Sequence, residues 1–103
     1  MIVVFSTASR TDLDRIWSYI ASDNPRRAIT FVRQIVAQSK RLADMPRRYA
    51  LIQGRETTGI RRMPYGNYLV FYRLGDRGVE ILRILGAAQD HEAILFPDET
   101  PDR

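Results

Sequence analysis

The chain has 103 residues and no cysteine. A disulfide framework, a zinc–thiolate centre and a thiol nucleophile are therefore excluded. Histidine is almost absent too: His91 is the only one. A metal site would have to complete it with carboxylates. Its neighbours Asp90 and Glu92 do not converge on one ion at that spacing, so neither metal nor cofactor is expected. A solvated side chain is the expectation for His91. Long apolar runs are also missing. The opening MIVVFS is too short for a secretory h-region, and no stretch approaches membrane-spanning length. The expectation is a soluble, cytoplasmic protein with no membrane partner. The glycines at 54, 59 and 66 lack the spacing of a phosphate loop. No internal repeat or low-complexity segment is visible.

Lysine is scarce as well. Fifteen of the sixteen basic residues are Arg, with Lys40 alone, and the formal net charge is +4. Arginine offers a planar fork for carboxylates and phosphates, so the bias suits recognition of an acidic partner. Codon composition alone gives the same bias. The length fits one domain with a modest core.

The run at residues 2–5, IVVF, is short and β-branched and predicts a strand. Ser6 and Thr7 follow as candidate N-caps. Leu13, Ile16, Trp17 and Ile20 then recur at helical spacing, predicting a helix to about residue 23 with these four on its inner face. Asp12 and Asp14 fall off that stripe, at a helix start that favours acid. Asn24-Pro25 marks the next helix start. Ala28, Phe31, Val32, Ile35, Val36, Ser39 and Leu42 form its inner stripe, out to about residue 44. The short link makes the two helices an antiparallel hairpin. Residues 45–58 lack a period and read as a loop, with Tyr49, Leu51 and Ile52 tucked onto the core.

Residues 59–90, GIRRMPYGNYLVFYRLGDRGVEILRILGAAQD, organise the chain. Gly66-Asn67 suits a two-residue type II′ turn, and 75–78 a second turn. Three antiparallel strands result. With the turns centred there, Arg73 opposes Glu80 and Arg61 opposes Tyr72. Leu69, Phe71, Leu82 and Ile84 then share one face, read as core under the helices. Tyr68, Val70, Tyr72, Ile81, Arg83, Leu85 and Arg61 share the other. That second face mixes apolar residues with cations and hydroxyls, as a face covered by a partner would. Residues 91–96 are expected to make a helical turn or to cap the core.

The segments DLDRIWSYIASDNPRRAITFVRQI, LADMP and the organising stretch, in this order, resemble the RelE/ParE superfamily of toxins from type II toxin–antitoxin modules, most closely its ParE branch. The resemblance implies an α+β fold: an N-terminal strand, then an antiparallel helix hairpin packed on an antiparallel sheet (β-α-α-β-β-β). It implies a single toxin domain over residues 1–96; the polar, proline-bearing tail over 97–103 is expected to be disordered. ParE-type toxins are non-enzymatic inhibitors of DNA gyrase. They trap it on cleaved DNA, and a ParD-like antitoxin wraps them into a hetero-oligomer. Direct sequence recognition of DNA is not implied. The expected antitoxin- or target-binding residues are Arg61, Tyr68, Tyr72, Arg83 and Leu85 of the mixed sheet face, with Gln89 and Asp90 of the stretch after the last strand.

The RelE branch instead cuts ribosome-bound mRNA with basic residues on the sheet, one basic residue after the last strand and a C-terminal aromatic. Arg61 matches one such position, but Tyr68 stands where RelE-like chains tend to have Arg. Gly86-Ala87-Ala88-Gln89 holds no basic residue, and Ile94, Leu95 and Phe96 supply no hydroxyl. Many ParE-like chains read His-Gly-Ala-Arg-Asp after the last strand. Here Ala88 and Asp90 remain, while the His and the Arg are replaced by Gly86 and Gln89. An mRNA endonuclease and a homologue inactive on gyrase stay open as alternatives.

Overall fold

The computed structural model describes residues 1–99. Strand β1 spans Ile2–Phe5. Helices α1 and α2 span Thr7–Ala21 and Pro25–Lys40. Strands β2, β3 and β4 span Arg61–Tyr65, Tyr68–Gly75 and Gly78–Gly86, and a short α3 covers His91–Leu95. Single 3-10 turns occupy Arg41–Ala43, Glu56–Thr58 and Pro97–Glu99. The tail expected to be disordered runs from residue 97, where the Pro97–Glu99 turn lies. Its residues 100–103 lie outside the described residues.

Local chemistry explains the helix starts. The Ser6 hydroxyl accepts from the Ser9 N–H at 2.9 Å, and the Asn24 side chain accepts from the Arg27 N–H at 3.1 Å. Each satisfies a donor that the first helical turn cannot pair internally. Pro25 opens α2, where its missing N–H costs nothing.

The sheet order is β1-β4-β3-β2. Two tight turns force β2, β3 and β4 to be antiparallel, as expected. Gly66 has φ 58 and Asn67 has negative φ, which suits the II′ turn. β1 joins β4 in parallel, from Ile2 opposite Gly78 to Phe5 opposite Ile81, so the whole sheet is mixed. The intervening helix hairpin makes this possible, because a parallel pair needs a long crossover.

The predicted pairs Arg73–Glu80 and Arg61–Tyr72 are present. Beyond them the register changes. Tyr72 faces Ile81 but Phe71 faces Arg83, which leaves Leu82 as an extra residue in a β-bulge. An odd insertion reverses the sidedness of everything after it. Ile84 therefore joins Val70 on the helix side, and Leu85 joins Phe71 on the other.

The two-face assignment needs correcting on a second count. The helices cover Tyr68, Val70, Tyr72 and Ile81, the face expected to await a partner. Leu69, Phe71, Leu82 and Leu85 lie on the opposite face, beneath Ile52, Ile94, Leu95 and Phe96. Periodicity sorts residues onto common faces, but it does not say which face a distant helix covers. Both faces are thus closed by the chain's own segments, and burying each large apolar side chain is worth about 1.5–3 kcal/mol.

Helix α2 follows its predicted stripe, with Ala28, Phe31, Ile35 and Ser39 buried. Helix α1 keeps Leu13, Ile16 and Ile20 of its expected stripe on the core and departs from it at Trp17. Its buried residues are Ser9, Asp12 and Ile16, whereas Trp17 is 43% exposed.

Gly78 has φ 145, and a Cβ there would collide with the backbone oxygen of Ile2. Gly59, with φ 74, has open space around it. Gly78→Ala should therefore cost about 2–3 kcal/mol and loosen β1, against about 1 kcal/mol for Gly59→Ala. Urea unfolding, with amide exchange along β1 and β4, checks both.

Candidate functional site

Ser9, Asp12 and Ile16 are spaced three and four apart, so they lie on one face of α1. That face is turned toward the end of β4. The Asp12 carboxylate is fully buried and accepts four hydrogen bonds. The Arg83 guanidinium grips it with Nε on Oδ2 at 2.8 Å and Nη2 on Oδ1 at 2.9 Å. The Ile84 N–H donates to Oδ2 at 2.9 Å, and Arg15 Nη1 to Oδ1 at 3.2 Å. Burial by itself would raise the Asp12 carboxyl. The bonds from Arg83 and Ile84, with the charges of Arg83 and Arg15, outweigh it and hold the group below its ordinary value of 3.8.

These contacts finish an incomplete sheet edge. β1 pairs with β4 only as far as Ile81, so the outer edge beyond has no strand partner. Side chains and a cap replace it. Ser6 N–H donates to Ile81 O at 3.0 Å and Ser6 Oγ to Leu82 O at 2.8 Å. Asp12 takes the Ile84 N–H, and Gln89 Oε1 takes the Gly86 N–H at 2.7 Å. His91 Nε2 lies 2.8 Å from Gly86 O, with its ring 5.2 Å from that of Phe71. His91 is thus a packed structural residue rather than the solvated one expected.

The turn after β4 forms one wall of an open cleft of about 600 Å³. Gly86, Ala87, Ala88 and Gln89 face Arg15, Ile16 and Tyr19 of α1, with Asn67 and Tyr68 from the β2–β3 turn alongside. The Ala87 N–H donates to Asn67 O at 2.8 Å, which ties the two turns together. Tyr68 packs its ring 5.4 Å from Phe31, and its hydroxyl makes no hydrogen bond among the described residues. Burial, and then the neighbouring Tyr19, raise that hydroxyl above its ordinary pKa of 10.0. Tyr19 is 76% exposed. The lining is mainly apolar, with two phenols, a guanidinium and amides among its residues. It carries neither a carboxylate nor an imidazole, so its chemistry suits docking of an apolar or aromatic protein segment.

Of the seven residues proposed from sequence, the cleft gathers Tyr68 and Gln89. Asp90 sits beside it and caps α3 by accepting the Ala93 N–H at 3.2 Å. Arg83 is turned to Asp12, with its side chain 25% exposed. Arg61 stands on β2, the other edge strand, and donates to Tyr49 O at 2.8 Å, pinning the 45–51 loop. Tyr72 and Leu85 are interior in this conformation; Tyr72 is sealed by a 2.9 Å bond from its hydroxyl to Pro46 O. Sequence reasoning missed Asp12, Arg15, Tyr19 and Asn67. For Asp12 the signal was available: it is four residues before Ile16, hence on the buried line.

A sequence profile described as "ParE toxin of type II toxin-antitoxin system, parDE" matches residues 3–91. Toxin ParE1 of Caulobacter vibrioides is 33% identical over 93 residues, covering 87% of this chain and 93% of that protein. Among solved structures, the chromosomal ParDE toxin–antitoxin system from P. aeruginosa matches with TM-score 0.69 and 25% identity. That match covers 84% of this chain and 95% of the other. The toxin–antitoxin complex RelBE2 from Mycobacterium tuberculosis matches with TM-score 0.54 and 28% identity, covering 82% and 95%.

Asp12 has a lowered pKa in the folded chain, so its pairing contributes stability fully above 3.8. That contribution is lost as pH falls through the lower folded value. Asp12→Asn should destabilise the protein by about 3 kcal/mol at neutral pH, because Arg83 loses its carboxylate. It should also flatten the acid limb below pH 3.8. Thermal melts of both proteins between about pH 2 and 7 read the two effects.

Proposed function

The chain belongs to the ParE toxin family of type II toxin–antitoxin systems, and we propose that it inhibits DNA gyrase by holding the enzyme on cleaved DNA. The carrying observation is the cleft behind β4. It is wide, lined mainly by apolar atoms and edged by the exposed Tyr19 and the unbonded Tyr68 hydroxyl. Aromatic residues at the margin of an apolar depression are the usual anchors of a protein–protein contact. No lining residue is a carboxylate or imidazole, which supports binding over proton transfer as the mode of action.

An antitoxin would neutralise the toxin. Solved relatives come from a ParDE system and a RelBE2 complex, which supports such a partner. β1 offers it a free strand edge with Ile2 52% and Val4 37% exposed. A groove of about 430 Å³ beside that edge is lined by Val3, Val4, Phe5, Leu13 and Val36 together with Arg10 and Lys40. An extended apolar segment can add there by main-chain pairing while its side chains fill the groove. Blocking growth inhibition would follow from covering α1 as well.

RelE-like cleavage of ribosome-bound mRNA is the competing reading, favoured by the likeness to RelBE2. Arg61 is spent on the Tyr49 carbonyl and Arg83 on Asp12, which leaves few free cations on the sheet to steady a phosphorane-like state.

A supercoiling and cleavage assay with purified gyrase separates the readings. Accumulation of cleaved DNA supports the proposal; untouched gyrase with cut mRNA on ribosomes overturns it. Tyr19→Ala should raise the concentration needed for half-inhibition roughly tenfold, as loss of a contact worth about 1.4 kcal/mol would. Tyr68→Phe, which keeps the ring on Phe31, should act in the same direction more weakly. A growth assay with antitoxin-free expression gives the same ranking.

A further inference from the structure

Charge is divided unevenly along this chain. Residues 25–55 hold eight basic residues against the single acid Asp44, a net of +7, while the whole chain carries +4. Three of these cations fall at one spacing. Arg26, Arg33 and Lys40 are seven residues apart on α2, so they advance about 10.5 Å per step and drift only about 20° around the axis. The row is about 21 Å long. All three are exposed, and their cationic ends make no ion pair or hydrogen bond among the described residues. The exposed Arg41 continues the row into the 3-10 turn that follows α2. Beyond it, Arg41 and Arg48 line a polar cleft of about 340 Å³ with Gln38 and Tyr49.

We propose that this outer face of α2 is a binding surface for the phosphate backbone of duplex nucleic acid, without sequence recognition. Three features favour this over other occupants. A protein partner draws its energy from buried apolar surface, and the chain's exposed large apolar residues lie mainly on β1 and α1: Met1, Ile2, Val4, Trp17 and Tyr19. Between its cations the α2 row offers Thr30 and Ala37, with Ile29 alone as a large exposed apolar neighbour. Single strands are held by rings stacked on unpaired bases, and the one ring of α2, Phe31, is buried. A rigid line of cations needs only a rigid line of phosphates, and 21 Å matches about six base pairs of a duplex. The surface is distinct from the cleft behind β4, and the inference does not depend on gyrase being the target.

The test is fluorescence anisotropy of a labelled 20-base-pair DNA duplex with the full chain, between 50 and 200 mM NaCl and with no topoisomerase present. Three phosphate contacts give a log–log salt slope of about −2.7, hence about 40-fold weaker binding across that range. Each single change, Arg26→Ala, Arg33→Ala or Lys40→Ala, should flatten the slope by about 0.9. The triple variant should lose at least tenfold in affinity at 50 mM with an unchanged melting curve, and Arg77→Ala in the β3–β4 turn should bind like the parent. An RNA duplex that binds equally well supports the shared phosphate chemistry. The proposal is overturned by a triple variant that binds like the parent, by tighter binding of the matching single strand, or by stronger competition from poly-glutamate than from unlabelled duplex at equal charge.

Discussion

One buried carboxylate joins the two halves of this molecule. Asp12 projects from α1 into the outer edge of β4 and accepts from Arg83, Ile84 and Arg15 at once. A charge removed from water is tolerable only when its oxygens are fully engaged, and a bidentate guanidinium with a main-chain amide meets that condition. The consequence is geometric. β1 is too short to pair with all of β4, and Asp12 takes over where it stops. α1 is thereby fixed against the sheet at the height where the cleft opens. Arg15, Ile16 and Tyr19, on the next turn of the same helix, become the cleft's wall.

The bulge at Leu82 serves the same end. It turns Ile84 toward the helices and leaves Arg83 reaching Asp12, while Leu85 joins the opposite cluster. Without the extra residue, Ile84 and Leu85 would exchange sides and the edge would lose its match to α1. On the far face, α3 covers Phe71 and Leu85. It is held by the contact of His91 with Gly86 O and by Arg55, which bonds Glu92 at 2.8 Å and lies 4.2 Å over the Phe96 ring. The turn after β4 is therefore braced from both sides: Gln89 and His91 both bind Gly86. A braced turn presents the small residues Ala87 and Ala88 in one fixed arrangement.

The surface chemistry is sorted by element. Apolar and aromatic exposure concentrates on β1 and α1, and positive charge on α2 and the loop after it. Protein docking uses the first kind of surface and phosphate contact the second. Of the cations on the sheet, Arg62 is exposed and its side chain has no partner among the described residues, while the other three are engaged within the fold. Arg61 secures a loop, Arg73 pairs with Glu80, and Arg83 holds Asp12.

The sequence by itself determined the element order, both helix caps, the α2 stripe, the two tight turns and the register from Arg73 to Tyr72, because caps, turns and periodicity are local chemistry. It also carried the family likeness, and the loss of a basic residue between Leu85 and Asp90. It did not determine the parallel pairing of β1 or which face the helices cover, since each depends on contacts between residues far apart in the chain, as Asp12 and Arg83 are; nor did it determine the bulge, which no turn residue or break in the β3–β4 pattern announces. Tyr72 and Leu85 looked like partner-binding residues for that reason, and Asp12 looked like an ordinary helix-start acid. Only the tertiary structure decided that Asp12 is the joint between helix and sheet. A carboxylate's role follows from what surrounds it, and the chain alone does not show its surroundings.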